Sequence, residues 1–386
     1  MTPRERMNRA MRPRAGQLPD RVPVMCQLSL GHYFLHAGGG AVEIWHDTAA
    51  FGDALLAMRH RYGFDGILVN LPGRAPSWRD QIATVEQCGR DTVVHWANGA
   101  VTTAPPDDNP HVRAAGGEVA GRLSFAGADP ERLFYVEPHG QYGMTRVAAG
   151  EIPEWQFDTI KYVRERAPDV SVHGEVFSPF SQWLELLDHA DALMALVEDP
   201  ARVTACLARL AEGAAVLALG QAAAGADAIL ISSAFAGAGF ISRPQYRAFV
   251  LPFERAVVEA IKGVHPDLPV YTHTCGAIGD RLDLMEESGT DGIDTLDPPP
   301  LGTVELADAS ARLGQRIFIK GNIDPVATLL GGSAASCLGA ALERLAAAKA
   351  GGGYILSSAC SVAPHTPPEN IIQLARAADA EGWYGP

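Results

Sequence analysis

The sequence predicts an α/β fold of the (β/α)₈ TIM-barrel class, carried by one domain over residues 1–386. Three observations lead there. Short apolar, β-branched runs alternate with helical patterns along almost the whole chain. Most of these runs follow a turn cue such as Gly-Phe-Asp, Gly-Ala-Asp, Gly-Thr-Asp or Gly-Gly-Gly. Eight such runs fit into 386 residues, the length expected of eight β/α units with an insertion.

In chain order the predicted strands are Val22–Gln27, Gly66–Asn70, Ser171–Val176, Ala228–Ser232, Pro269–Thr274, Gly292–Leu296, Arg316–Gly321 and Tyr354–Ala359. Each is short and apolar rather than alternating, as parallel strands covered on both faces are. Helical patterns fill the gaps at Pro200–Ala224, Arg243–Lys262, Gly279–Ser288, Val304–Leu313 and Ser333–Lys349. One segment breaks the rhythm. About 80 residues, 71–150, rich in Pro, Gly and Asp, separate the second strand from the helix near Glu154–Arg166. Within them Thr92–Thr103 reads as a hairpin with Asn98-Gly99 at its turn. An insertion after a barrel strand emerges on the C-terminal face, so 71–150 is expected to form a lid or wall of the site, or else a β-subdomain without a role there.

Hydrophobic residues make up 47% and charged residues 20%, enough for a large core. The net charge of −14 argues against nucleic acid or an anionic membrane as partner. The basic N-terminus lacks the apolar stretch of a signal peptide, and the Ala-rich Ala214–Ala224 reads as buried helix, so a cytoplasmic location is expected. Six dispersed cysteines make no disulfide framework; Cys206 and Cys337 sit in helical patterns as small apolar residues.

Side chains at the C-terminal ends of barrel strands converge. That rule collects Gln27, Asn70, His173 or Glu175, Ser232 or Ser233, His273 with Cys275, Asp294 or Asp297, Asn322 with Asp324, and Cys360. In His273-x-Cys275 both side chains leave one strand on the same side, and Cys360 ends the eighth strand. A His, two Cys and an open position make a catalytic zinc set; the alternative is a pair of ordinary thiols beside a pocket. Glu175 is a candidate fourth ligand. Gly38–Gly40 and Gly351–Gly353 match no phosphate or dinucleotide fingerprint, and Ser232-Ser233 lacks the Gly-x-Ser-x-Gly elbow. His32 and His36 are candidates for lining the pocket above the first strand or for surface positions.

PDRVPV at the first strand, GADAILIS at the fourth, SRPQYRAFVLPFERAVVEAIK after it, THTCGAIGDRLDLMEESGTDGIDTLD, FIKGNIDPVATLLGG and GGGYILSSACSVAPHTPPENI together resemble the uroporphyrinogen decarboxylase superfamily. The resemblance implies a TIM barrel with its site on the C-terminal face, and two branches are open. Decarboxylases carry an Arg-Gln-Ala-Gly-Arg motif after the first strand; here Cys26-Gln27-Leu28-Ser29-Leu30-Gly31-His32 lacks both arginines. Asn70 stands where they have a catalytic Asp, and Cys360 where they have His. The other branch comprises zinc-dependent, corrinoid-linked methyltransferases similar to the methylcobalamin:coenzyme M enzymes. Their His-x-Cys…Cys ligands match His273, Cys275 and Cys360.

This second resemblance implies Zn²⁺ held by His273, Cys275 and Cys360, a corrinoid or corrinoid protein as methyl carrier, and a homodimer as a common assembly. Placement at the barrel mouth makes Glu175 the catalytic candidate, as exchangeable or orienting fourth ligand, and Gln27, His32, Asn70, Ser232 and Asn322 the candidate substrate pocket. The expected activity is methyl transfer to or from a thiol or another small molecule. The alternative is a cofactor-free decarboxylase-like lyase acting on a tetrapyrrole or other carboxylated substrate. A barrel retained only to bind a tetrapyrrole or a metal is the non-enzyme alternative.

Overall fold

A computed structural model describes residues 1–116, 122–314 and 316–385. Seven predicted strands form one curled parallel sheet in sequential order: Gly66–Val69, Ser171–Phe177, Ala228–Ser232, Val270–Thr274, Gly292–Thr295, Phe318–Ile323 and Tyr354–Ser358. Residues 22–28 occupy the eighth place. Met25 N–H donates to Leu356 O (3.1 Å), Leu356 N–H to Pro23 O (2.9 Å), and Asp65 N–H to Val24 O (2.7 Å), so the segment lies between the last strand and the start of the first. The expected regular strand Val22–Gln27 is nevertheless reduced to isolated bridges at Val24 and Leu28. Pro23 has no N–H to give, and Val24 N–H is diverted to the Asp65 carboxylate at 2.8 Å.

Leu68, Ala228, Leu230, Tyr271, Phe318 and Ile355 pack inside the barrel, and the N-terminal helix Pro3–Ala10 closes one end with Met7, Ala10 and Met11. That helix starts where the sequence signals it: Thr2 and Glu5 form a reciprocal capping box ahead of Pro3. Its Arg6 pairs with the buried Asp65 at 2.5 Å, and Arg21 meets the other oxygen of that carboxylate at 2.9 Å. Gly292 is required by the interior, because a Cβ there would stand 2.4 Å from the Phe318 ring.

Outside, Pro200–Ala223 is capped by Asp199 and buries Val203, Cys206, Leu207, Leu210, Leu217 and Ala218. By length and composition this helix is apolar enough to cross a membrane, but 56% of that stretch is buried within the protein, as in a core helix. The helix expected over Arg243–Lys262 is two helices, Arg243–Phe249 and Leu251–Val264. The break falls at Val250, two residues before Pro252, which occupies the first turn of the second helix.

The insertion is an antiparallel sheet of Ile82–Cys88, Asp91–Trp96, Val101–Ala104 and His111–Arg113, followed by the pair Tyr135–Glu137 and Thr145–Val147. Residues 117–121 of it lie outside the described residues. The expected hairpin is present: Gly99 adopts φ +83° at the turn and Trp96 N–H donates to Ala100 O at 2.9 Å. Trp78 and Trp96 pack against His46 of the helix Ala41–His46. The Asp107 carboxylate meets His365 Nε2 at 2.7 Å, in the loop that follows Cys360. The Asp107 carbonyl lies where a Cβ on Gly31 would be, 2.2 Å away. The insertion is thereby fastened to the loops after the first and last barrel segments.

Candidate metal centre

Parallel register sets the site. His273 is paired with Ser232 on one neighbouring strand and with Asp294 on the other, and Asp294 in turn with Lys320. His273 is buried, 4% exposed, in the last turn of its strand. Cys275 follows two residues later, and Cys360 follows the last strand; both thiols are partly exposed. Asp297 accepts a hydrogen bond from Gly276 N–H (2.6 Å) and holds the turn after Cys275, where Gly276 takes φ +78°.

The three donor atoms meet. His273 Nε2 lies 3.3 Å from Cys275 Sγ and 3.9 Å from Cys360 Sγ, and the sulfurs are 3.6 Å apart. A tetrahedral zinc at ordinary bond lengths needs edges of about 3.6 Å from N to S and about 3.8 Å from S to S. The triangle therefore fits such an ion with shifts of a few tenths of an ångström, and its soft donor set suits zinc. On the far side of the imidazole, Nδ1 lies 3.2 Å from Asp294 Oδ2 and 2.9 Å from Thr295 Oγ1. Asp294 Oδ1 accepts from Lys320 Nζ and from Thr295 N–H, each at 2.9 Å. A carboxylate on Nδ1 makes that nitrogen a donor and turns Nε2 toward the sulfurs, where a bound cation would take the place of the Nε2 proton.

The charges are consistent with a cation-holding set. Burial opposes a charge on His273, but Asp294 and the Cys360 thiolate outweigh it and raise its pKa to about 10. The hydrogen bond from Cys275, with help from His273, outweighs burial and lowers Cys360 to about 4, while that same contact and then burial push Cys275 up. Asp294 is lowered to about 2 against its burial by Lys320 and His273.

Glu175 lies outside the three-residue group whose ligand atoms all fall within 4.8 Å of one another. Burial raises its carboxyl to about 7, with His273 and a hydrogen bond from Ser232 opposing the rise. It faces a narrow cavity of about 20 Å³ with Asn70, Glu137 and Gln221. Ser232 and Asn70 thus gather around Glu175. Asn322 donates to Leu296 O at 2.8 Å, and its Oδ1, like Gln27 Oε1 and Asn70 Oδ1, is buried without a partner. His32 is fully buried between Tyr62 OH (2.7 Å) and Pro364 O (3.0 Å), where it ties the helix Leu30–His36 to the loop after Cys360 instead of lining a cavity. Lys320, Glu137 and Arg74 were not anticipated. Arg74 follows the second strand and falls under the strand-end rule; Glu137 is placed by the irregular insertion, for which no local pattern exists.

The sequence profile described as Uroporphyrinogen decarboxylase (URO-D) matches residues 145–380. The chain belongs to that family. Family relatives include the uroporphyrinogen decarboxylase of Sphingopyxis alaskensis, 26% identical over 373 residues that make up 94% of this chain and 95% of that one. A Nostoc uroporphyrinogen decarboxylase is 35% identical over 174 residues, 45% of this chain and 46% of the relative. Among solved structures, a methyltransferase from Methanosarcina mazei shares the fold with a TM-score of 0.69 and 18% identity, covering 98% of this chain and 99% of its own. A B12-independent methionine synthase from a Shewanella species follows at TM-score 0.54 and 13% identity, over 93% and 97%. The profile match establishes the family, and the two structures show that the chain shares their fold.

Proposed function

We propose that this family member is a zinc-dependent methyltransferase that moves a methyl group between a corrinoid, free or protein-bound, and a thiol or other small molecule. The observation that carries the reading is the convergence of His273, Cys275 and Cys360 at tetrahedral edge lengths, backed by Asp294. When bound, zinc would supply an open coordination position that holds a substrate thiol as its thiolate. Asp294 keeps the His273 ring in one tautomer and one orientation, and Lys320 keeps Asp294 ionised. Cys275 and Cys360 are the partly exposed members of the set, so a substrate approaches from their side, at the barrel mouth. A corrinoid would supply or take up the methyl group, while His273, Cys275 and Cys360 would hold the zinc that keeps the partner sulfur as its thiolate. Glu175, raised toward neutrality by burial, orients the substrate from the neighbouring cavity, to whose lining the insertion adds Leu71, Pro72 and Glu137.

The names of the curated relatives favour a second reading, decarboxylation of a porphyrinogen. Against it stand the two absent arginines at 26–32, Asn70 in place of an acid, and the paired thiols, for which decarboxylation has no use. Metal analysis of the purified protein separates the two. One zinc per chain, lost in both His273→Ala and Cys360→Ser, is expected; a wild-type protein that carries and takes up no zinc would overturn the proposal.

A further inference from the structure

Beside the Glu175 cavity, and sharing Pro72, Glu137 and Gln156 with it, lies a larger one of about 190 Å³. Its walls are overwhelmingly apolar, with Tyr142, Val147, Pro153 and Trp155 among them. A dry cavity of about 150 Å³ already holds a benzene molecule, so a ring-sized ligand fits here. Two hydrogen-bond donors of its lining residues have no partner among the described residues. Arg74 is 3% exposed; its Nε donates to Trp45 O (2.6 Å) and its Nη1 to His139 O (2.9 Å), while Nη2 is buried and unpaired. Gln141 is 4% exposed; its Oε1 accepts from Ala75 N–H (2.9 Å), which fixes the amide so that Nε2 is the free end, also unpaired.

A buried guanidinium with a spare N–H is costly unless something anionic meets it. Glu137 is the acid nearest at hand in this lining, but burial raises its carboxyl to about 7, so it is a weak counter-charge near neutrality. The free Nη2 of Arg74 and the free Nε2 of Gln141 offer one donor for each oxygen of a carboxylate, and the rest of the lining suits an apolar body.

We propose that this cavity binds a small apolar carboxylate, its carboxylate on Arg74 Nη2 and Gln141 Nε2 and its ring-sized body against Tyr142, Pro153 and Trp155. Calling that ligand the methyl-transfer substrate rests on the reading above; the binding itself does not, because none of the three zinc-candidate residues lines the cavity.

The test uses the full chain and three probes of one shape: benzoate, the neutral benzamide and the cationic benzylammonium. Calorimetric titration is expected to show benzoate binding at least about tenfold more tightly than either, the worth of a charge-assisted hydrogen bond. Arg74→Ala would also free two backbone carbonyls and risks the fold, so the decisive variant is Gln141→Glu. It keeps the acceptor for Ala75 N–H and replaces the free donor with a carboxylate oxygen; its thermal unfolding should match wild type and its benzoate affinity should drop about tenfold or more. Equal affinity for benzoate and benzamide, tighter binding of benzylammonium, or an unaltered benzoate affinity in a folded Gln141→Glu protein would each overturn the proposal. Repeating the titration on His273→Ala keeps the two readings apart: benzoate binding is expected to persist there whether or not wild type holds zinc.

Discussion

Asp294 Oδ2 lies 3.2 Å from His273 Nδ1 while its other oxygen accepts from Lys320 Nζ at 2.9 Å, so one buried carboxylate connects a barrel lysine to the candidate zinc ligand. Asp294→Asn keeps the shape but removes the charge. The expected outcome is retention of the fold with zinc held roughly 10- to 100-fold more weakly, the usual effect of losing a carboxylate behind a ligating imidazole. Competition with a chromogenic chelator measures it. Unchanged affinity would mean that Thr295 Oγ1, 2.9 Å from the same nitrogen, suffices to hold the ring.

Glu175 discriminates between a ligand and an orienting group. It stands outside the His273–Cys275–Cys360 group and is bonded instead to Ser232. Glu175→Gln is therefore expected to keep one zinc per chain by elemental analysis, and to remove an inflection near pH 7 from the pH profile of methyl transfer. Loss of zinc in this variant would make Glu175 a ligand after all.

How much of this was legible beforehand depends on how locally each feature is encoded. The barrel was readable because its seven regular strands are short buried runs, most of them preceded by a turn cue. The first segment misled because Pro23 and Asp65 break its ladder, an effect of two residues 42 positions apart in the chain. His273, Cys275 and Cys360 were readable because soft ligands at strand ends are uncommon and the strand-end rule needs no distances. Lys320 and Asp294 were each visible as residues, but their pairing depends on the register of adjacent strands. Glu137 and the free end of Gln141 owe their positions to the insertion's irregular loops, whose packing against the barrel has no periodic signature. Arg74 was within reach of the strand-end rule and was passed over.

The barrel interior makes a packing prediction. A Cβ at Gly292 would lie 2.4 Å from the ring of Phe318, which is fully buried inside the strands. Gly292→Ala should cost about 1–3 kcal/mol, as overpacking a tight core does, seen as a lower urea midpoint at unchanged slope. The double variant Gly292→Ala/Phe318→Leu should recover part of that loss, because it removes the ring edge that the methyl group meets. Independent, additive losses would show that the clash lies elsewhere.

Glu254 gives the clearest dependence of stability on pH. It sits on the helix Leu251–Val264, 1% exposed, with Tyr246 OH 3.4 Å from Oε2 and Oε1 buried without a partner. Burial raises its carboxyl to about 7 from the ordinary 4.5, against the hydrogen bond from Tyr246. The sign follows from proton uptake. Between about pH 4.5 and 7 the folded state holds a proton at Glu254 that the unfolded state has released, so stability contributed at this position is greatest below that window and falls as pH rises through it. Above pH 7 the side chain is ionised in both states and the loss is complete, of the order of a few kcal/mol at most. Glu254→Gln keeps an uncharged side chain of similar size at every pH. The variant is therefore expected to match wild type near pH 5 and to exceed it near pH 8, with the difference growing across pH 5–7. Urea denaturation at a series of pH values reads this directly, and a pH-independent difference between the two proteins would contradict it.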